Sequence, residues 1–379
     1  MAIGNLISLA AALSAALLLL PPVQTQFYTV GFRWLYVLLV SYLVAVALTP
    51  LIRHLAIRIG AVDRPSSRKI HDSATPLLGG VAVYLAFLIA ILANTAGLEA
   101  PLVLNEGMLG VLAGGTLLLL VGVRDDIRYV PATAKLVVQI AAAVIVIWAG
   151  KLLTFFPHGF WGDALNLLLT VLWIVGITNA FNFFDGMDGL ATGLAIITAF
   201  FLGIVAFQTN QPALGWVAVA LVGAGLGFLP YNFRLKAPAT IFLGDAGSTF
   251  LGFTLACLAV KGNWADHNPI VSVSTPILIF GILIYDMVHT TVVRIYLGKV
   301  RTVKEYLEYV GKDHMHHRLE RVLGSRTETV FIIFLLSIAL GLAGVVLRHA
   351  RTVDALFLLL QATIIVVVVS ILEHRGRSA

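Results

Sequence analysis

ALNLLLTVLWIVGITNAFNFFDGMDGLATGLAIITAFFLGIVAFQ, running from Ala164 to Gln208, holds two uncharged apolar runs, 164–181 and 189–208, on either side of a short polar turn. A spanning helix needs about 20 mostly apolar residues. Lipid satisfies no backbone hydrogen bond, so such runs must be helical. The link 182–188 is too short for anything but an antiparallel pair, with Asn182, Asp185 and Asp188 at the turn. An Asp at the centre of a spanning helix is penalised by about 2.5–3.5 kcal/mol on insertion scales. Acids at a turn therefore mark an end of the bundle, where water is within reach.

The same pattern extends outward from this pair. Apolar segments fall at 2–20, 33–52, 77–97, 107–123, 133–149, 212–230, 246–260, 269–293, 328–347 and 353–372, giving twelve candidate spans. The chain has 379 residues, 59% hydrophobic and 12% charged, against about 25% charged in soluble domains. The expected fold is an all-α polytopic membrane helical bundle: 11 core transmembrane helices plus an extra N-terminal one. Residues 1–31 would form that extra helix and an external link, and 32–379 one compact domain. Segment 2–20 has no Lys or Arg before it and is followed by Pro21-Pro22. It reads as a retained helix, because a cleaved signal peptide usually begins with a basic region.

Basic residues set the orientation. Loops 53–76, 124–135, 182–188, 231–245 and 294–327 and the tail 373–379 share one side, which holds 20 of the 25 Lys and Arg. That side is expected to be cytoplasmic, with the C-terminus inside. The net charge of +6 thus reflects topology and does not call for a nucleic-acid partner. The single Cys257 lies inside a span, so neither an intramolecular disulfide nor a Cys metal cluster can form.

Five polar clusters lie on this same side. Asp125-Asp126 follows an apolar run and reads either as a solvated helix end or as a pair that shares a cation, orients a base or binds donors. Asn179 to Leu190 places Asn182, Asp185 and Asp188 three apart, on one face if the turn is helical. Gly244-Asp245-Ala-Gly247-Ser248 opens a helix, so Asp245 could cap it or help hold a divalent cation. Mg²⁺ takes one or two protein carboxylates and completes its shell with water and phosphate. His314-Met-His316-His317-Arg318 fits phosphate recognition, a solvated basic loop or zinc. The lack of Cys and of a nearby fourth ligand weighs against zinc. Asp63 to Gly80 includes Lys69 and His71 and reads as a basic juxtamembrane loop or one facing phosphate.

Taken in order from Asp63 to Leu319, the clusters resemble those of the polyprenyl-phosphate N-acetylhexosamine-1-phosphate transferases, the bacterial family related to phospho-MurNAc-pentapeptide translocase. The most specific pieces are Asn179 to Leu190, Phe242-Leu-Gly-Asp-Ala-Gly-Ser248 and His314 to Arg318. The resemblance implies transfer of a sugar 1-phosphate from a UDP-sugar to a polyprenyl phosphate with release of UMP. It implies Mg²⁺ as cofactor, with Mn²⁺ able to substitute, and a site facing the cytoplasm at the bacterial inner membrane. It makes Asp245 the metal ligand and assigns catalytic work to Asp125, Asp126, Asp185 and Asp188. Substrate binding would fall to Lys69, His71, Asn182, Asn232, Phe242, His314, His316, His317 and Arg318. Lys135 and Gln139 fit the helix after the acidic pair, and Asp286 a helix end.

The His-x-His-His-Arg form is more similar to the N-acetylglucosamine-type enzymes. UDP-N-acetylglucosamine and undecaprenyl phosphate are therefore the expected substrates. Another UDP-N-acetylhexosamine or UDP-MurNAc-pentapeptide is the alternative donor, and a secondary transporter the distant alternative function. Transporters place ionisable groups near the midplane and show inverted repeats, whereas here the acids gather in loops. Oligomeric state stays open, a homodimer among the options, as does the choice between direct attack and a covalent intermediate. The family's third acid of the first motif is replaced by Tyr129.

Overall fold

The computed structural model describes residues 2–63, 74–95, 105–150, 153–264, 268–309, 311–347 and 350–375. Lys69 and His71 lie outside these described residues. Helices α1 (Ala2–Leu18), α2 (Pro21–Thr29) and α3 (Arg33–Ile59) open the chain. Two short strands, Val62–Asp63 and Thr75–Pro76, pair antiparallel before α4 (Gly79–Thr95). The bundle continues with α5 (Glu106–Ile127), α6 (Ala132–Trp148), α7 (Phe160–Phe184), α8 (Leu190–Gln208), α9 (Pro212–Asn232) and α10 (Gly244–Lys261). Then come α11 (Pro269–Ile279), α12 (Gly281–Tyr296), the short α13 (Val303–Glu308) and α14 (Met315–Leu323), α15 (Arg326–Val346) and α16 (Thr352–Arg375).

Each of the twelve apolar segments is occupied by a helix or a bent pair, and the protein is an all-α, multi-pass membrane protein. Among the described residues, seven helices are long and apolar enough to cross a membrane, or nine if each bent pair is one span. The two bends were not anticipated. α1 and α2 meet at 71°, and α11 and α12 at 79°. Pro21 and Pro22 have no N–H to continue α1, and Pro276 weakens the last turn of α11 just before Phe280.

α10 is the axis of the bundle. Its residues from Ala246 to Val260 are all buried, and it packs against α4, α5, α7 and α8. Lipid tails offer no hydrophobic drive for helices to associate, so close backbone approach through small residues does the work. Gly80 of α4 lies against Gly247 of α10 so tightly that a Cβ there would come within 2.1 Å of the Gly247 backbone. The same two segments are stitched by main-chain bonds: Phe242 N donates to Pro76 O (2.8 Å), Gly79 N to Phe242 O (3.0 Å) and Gly80 N to Leu243 O (2.8 Å). Arg53 adds a side-chain bond to Thr240 O at 3.0 Å. The start of α10 is thereby fixed against the start of α4.

Gly80→Ala is expected to destabilise the protein strongly, because overpacking costs about 1–3 kcal/mol and here the obstacle is backbone. Gly176→Ala meets only the flexible tip of Met287 at 3.2 Å and should be tolerated. Thermal unfolding midpoints in detergent compare the two.

Candidate active site

The N-terminus of α10 leaves unpaired backbone N–H groups at the bundle's end. They are satisfied from another helix. Asp126, on the last turn of α5, accepts from the amides of Asp245 (2.9 Å) and Ala246 (3.4 Å). Gly244 adopts φ +75°, and a Cβ there would lie 2.4 Å from Asp126 Oδ2. The residue preceding Asp245 must therefore be glycine on both counts. Asp126 is one of the acids expected to do catalytic work; in the structure both of its oxygens accept at this helix start.

Asp125 and Asp245 converge on one cation. Lys135, from the first turn of α6, reaches Asp125 Oδ2 at 2.9 Å and Asp245 Oδ2 at 2.8 Å, with all three side chains partly open to solvent. The other oxygen of Asp125 accepts from Val130 N at 2.5 Å. Asn182 Nδ2 donates to Asp245 Oδ1 (3.1 Å) and to Ser248 Oγ (3.0 Å). One turn deeper, Asn179 and Gln139 bond their amides reciprocally at 2.7 and 3.3 Å. The structure thus brings together residues of four helices, α5, α6, α7 and α10.

The face-sharing expected of Asn182, Asp185 and Asp188 does not hold. α7 ends at Phe184, so only Asn182 is helical, and Asp185 occupies the C-cap. Asp185 is pushed well above the usual carboxylate range by burial and by its neighbours Asp245 and Asp126. Asp188 turns away to accept from Ala239 N at 2.8 Å, and its other oxygen is buried without a hydrogen bond.

Asn232 and Arg318, expected to bind substrate, both lie inside the protein. Asn232 is 2% exposed. It accepts from Thr192 Oγ1 at 2.8 Å and donates to Ile241 O at 3.2 Å, so its amide orders the chain before α10 and faces no opening. Arg318, also 2% exposed, donates to Glu373 Oε2 (2.7 Å), Thr290 Oγ1 (3.3 Å) and Asp313 O. Long polar side chains look available in sequence, but both of these are buried and bonded inside the protein, Arg318 Nη2 alone making no hydrogen bond. Phe242 is half-buried, in the stitched segment that leads to Asp245.

The histidine segment forms a second wall. His314 is the N-cap of α14. Its Nδ1 lies 2.7 Å from Asp286 Oδ2, its Nε2 3.3 Å from Arg294 Nη2, and its ring stacks on Phe183 at 4.7 Å. Asp286 also accepts from Met315 N at 2.5 Å. Arg294 grips Asp313 through two bonds of 2.9 and 2.7 Å. That grip holds the Asp313 carboxyl below its usual range despite burial. His316 is 1% exposed, and neither ring nitrogen has a hydrogen bond. Its Nε2 faces Gly186, where an added Cβ would come within 2.7 Å, so the imidazole abuts the Asp185–Asp188 turn. Burial, then the neighbouring His317, lowers His316 to about 3. Burial also lowers His317, whose Nδ1 sits 3.8 Å from Glu320.

The donor set around Asp245 suits a hard, well-hydrated cation. It consists of the carboxylates of Asp125 and Asp245, from separate helices. Among the described residues no three acidic, imidazole or thiol side chains form a closed metal cage. Mg²⁺ asks for no such cage, whereas a structural zinc site does.

A multi-pass helical protein with acids, one ammonium and imidazoles gathered at one end of its bundle has the architecture of an enzyme working on membrane-bound substrates. Comparison with known proteins narrows the class. Residues 108–263 match the model of glycosyl transferase family 4. A probable undecaprenyl-phosphate N-acetylglucosaminyl 1-phosphate transferase of Bacillus subtilis is 33% identical, over 85% of this chain and 87% of its own. A decaprenyl-phosphate N-acetylglucosaminephosphotransferase of Mycobacterium tuberculosis is 32% identical over 81% of each. An undecaprenyl-phosphate alpha-N-acetylglucosaminyl 1-phosphate transferase of Escherichia coli is 27% identical over 79% of this chain and 80% of its own. The chain belongs to glycosyl transferase family 4.

Two predictions follow from the geometry. Lys135→Met leaves Asp125 and Asp245 facing each other without their shared cation. Its unfolding midpoint should fall by several degrees, while Lys304→Met, at an exposed position, should not change it. His316 titrates near 6.5 when unfolded and about 3 when folded. Between those values the unfolded chain binds more protons, so stability falls as pH falls below about 6.5. In His316→Gln the part of this acid loss that comes from His316 should vanish, measured as the slope of midpoint against pH from 7.5 to 5.

Proposed function

We propose that this protein transfers N-acetylglucosamine 1-phosphate from UDP-N-acetylglucosamine to undecaprenyl phosphate, releasing UMP. The product would be a polyprenyl-pyrophosphate-linked sugar that starts a cell-surface glycan. The observation that carries the reading is the convergence of Asp125, Asp245, Lys135 and Asn182 within direct bonding distance at the mouth of α10. The similarity to relatives named for this reaction supports it. The bias of Lys and Arg supports a cytoplasmic site and an internal C-terminus, and the bacterial relatives support location in the inner membrane.

In this reading an oxygen of the lipid phosphate attacks the phosphorus that bears the sugar. The new P–O bond forms as the bond to the bridging oxygen breaks, and UMP leaves with that oxygen. Positioning and charge neutralisation dominate such transfers. Asp245, with Asn182 fixing one of its oxygens, would hold Mg²⁺, or Mn²⁺ in its place. The ion supplies neutralisation of the charge shared by two phosphate-bearing substrates. Lys135 offers a further positive charge beside it. Asp125, at the Lys135 bridge, orients the acceptor phosphate, while Asp126 keeps the mouth of α10 in register. Asp185 is within electrostatic reach of Asp245 and Asp126, in a cluster whose negative charge a cation would offset. His316 and His317 would serve the donor's diphosphate, and Lys69 and His71 are proposed to help bind substrate.

Purified protein with UDP-N-acetylglucosamine, undecaprenyl phosphate and Mg²⁺ should release UMP. Asp245→Asn keeps the shape, removes the charge and should lower turnover by at least 100-fold without loss of folded protein. Near-normal turnover at saturating Mg²⁺ would exclude the metal role. Stripping zinc while sparing Mg²⁺ should leave the wild type active.

A further inference from the structure

The last helix of the chain carries an acid that none of the site chemistry uses. Glu373 lies near the end of α16 and is 3% exposed. Its Oε2 accepts from Arg318 Nε at 2.7 Å and from the Tyr285 hydroxyl at 3.3 Å. Burying a carboxylate at a bundle's end is costly unless it is paired and hydrogen-bonded; here Oε2 is both, while Oε1 is buried without a hydrogen bond. Arg318 reaches in turn to Asp286 Oδ1 at 3.4 Å, and Asp286 Oδ2 meets His314 Nδ1 at 2.7 Å. One unbroken line of charged contacts thus runs from the final helix to the first histidine.

We propose that Glu373 is a positioning residue for donor binding, acting through Arg318 to fix the first turn of α14. α14 is short and polar, and it packs against α15 and α16. A nine-residue helix is marginal on its own, so its position must come from tertiary contacts. His316 stands on that turn, with both ring nitrogens unbonded and Nε2 against Gly186. A rotation of the turn would move His316 relative to the acids around Asp245. The planar fork of Arg318 can engage Glu373, Asp286 and a carbonyl at once, which a Lys could not. The contact ties the histidine wall to a helix that lies apart from the acidic centre and contributes no group to it.

The proposal rests on the reading of the histidine segment as donor-binding, and the experiment separates the two. KM for UDP-N-acetylglucosamine, KM for polyprenyl phosphate and the unfolding midpoint are measured for wild type, Glu373→Gln, Glu373→Asp, Asp286→Asn and the Glu373→Gln/Asp286→Asn double variant. Glu373→Gln should raise the donor KM about tenfold, with the acceptor KM within twofold of wild type. Glu373→Asp should be milder. In the double variant the donor KM should be no worse than in the weaker single, as expected for two groups on one line of contacts. A purely structural role would lower the midpoint and affect both substrates alike, and that result overturns the proposal. So does an unchanged donor KM in Glu373→Gln, or multiplicative losses in the double variant. Should Glu373→Gln not fold, Glu373→Asp keeps the charge and carries the same comparison of the two KM values. His316→Ala is the control for the underlying reading. If it leaves the donor KM unchanged, that reading fails; if it raises the donor KM while Glu373→Gln does not, only the role of Glu373 fails.

Discussion

Everything at the polar end of this bundle depends on how one buried helix begins. α10 is enclosed by its neighbours, so the amides of its first turn cannot simply turn to water. A carboxylate from α5 supplies the missing acceptors, and the glycine that lets that carboxylate approach immediately precedes the acid assigned to metal binding. The requirement to cap a buried helix and the requirement to present an acid to a ligand are met by neighbouring residues on the same turn. Lys135 then holds Asp245 and Asp125 together, offsetting a repulsion that two carboxylates would otherwise impose on the junction of three helices.

The histidine wall follows a second logic. Its buried charges come in opposed sets, Arg294 with Asp313 and Arg318 with Glu373 and Asp286. Each is engaged by direct bonds, as burial in a low-dielectric interior demands. His316 is the exception, being buried and unbonded. Left neutral by its surroundings, it is free to serve as an acceptor, or as a donor from one nitrogen, without carrying a charge of its own. Two walls of different character therefore meet across the Asp185–Asp188 turn, one acidic and one made of imidazoles.

Much of this was legible in the chain. The apolar runs and the paucity of charge define a multi-pass helical protein, and residues 182–188 mark a turn because charge is costly within lipid. The acids, Asn182 and the histidines were also visible, since each interrupts an apolar context for which packing offers no reason. What sequence could not show was which polar groups are already engaged. Asn232 and Arg318 look like ligands until their partners, Thr192 and Glu373, are seen in space. Asp126 looks like a twin of Asp125, yet the two point to different tasks because one lies toward the α10 amides and the other toward Lys135. The bends at Pro21 and Pro276 have a local cause, but their angles are set by what the following helix packs against. Glu373 gave no signal, because an acid after a final apolar run reads as an ordinary solvated end.

The cap that Asp126 places on α10 also says something about how such a chain is built. The two partners are 119 residues apart, with α6 to α9 made in between. As the chain emerges in order, α5 must enter the membrane with a carboxylate whose eventual acceptor-seeking amides do not yet exist. Those amides arrive on the helix that must occupy the centre after the surrounding helices are already in place. The axis of the bundle is thus a late arrival, and the final packing of α4, α5, α7 and α8 around it can be completed only once α10 is made. A chain halted before Gly244 would hold Asp125 and Asp126 at the rim of an unfilled groove, open to water and recognisable to quality control as incomplete.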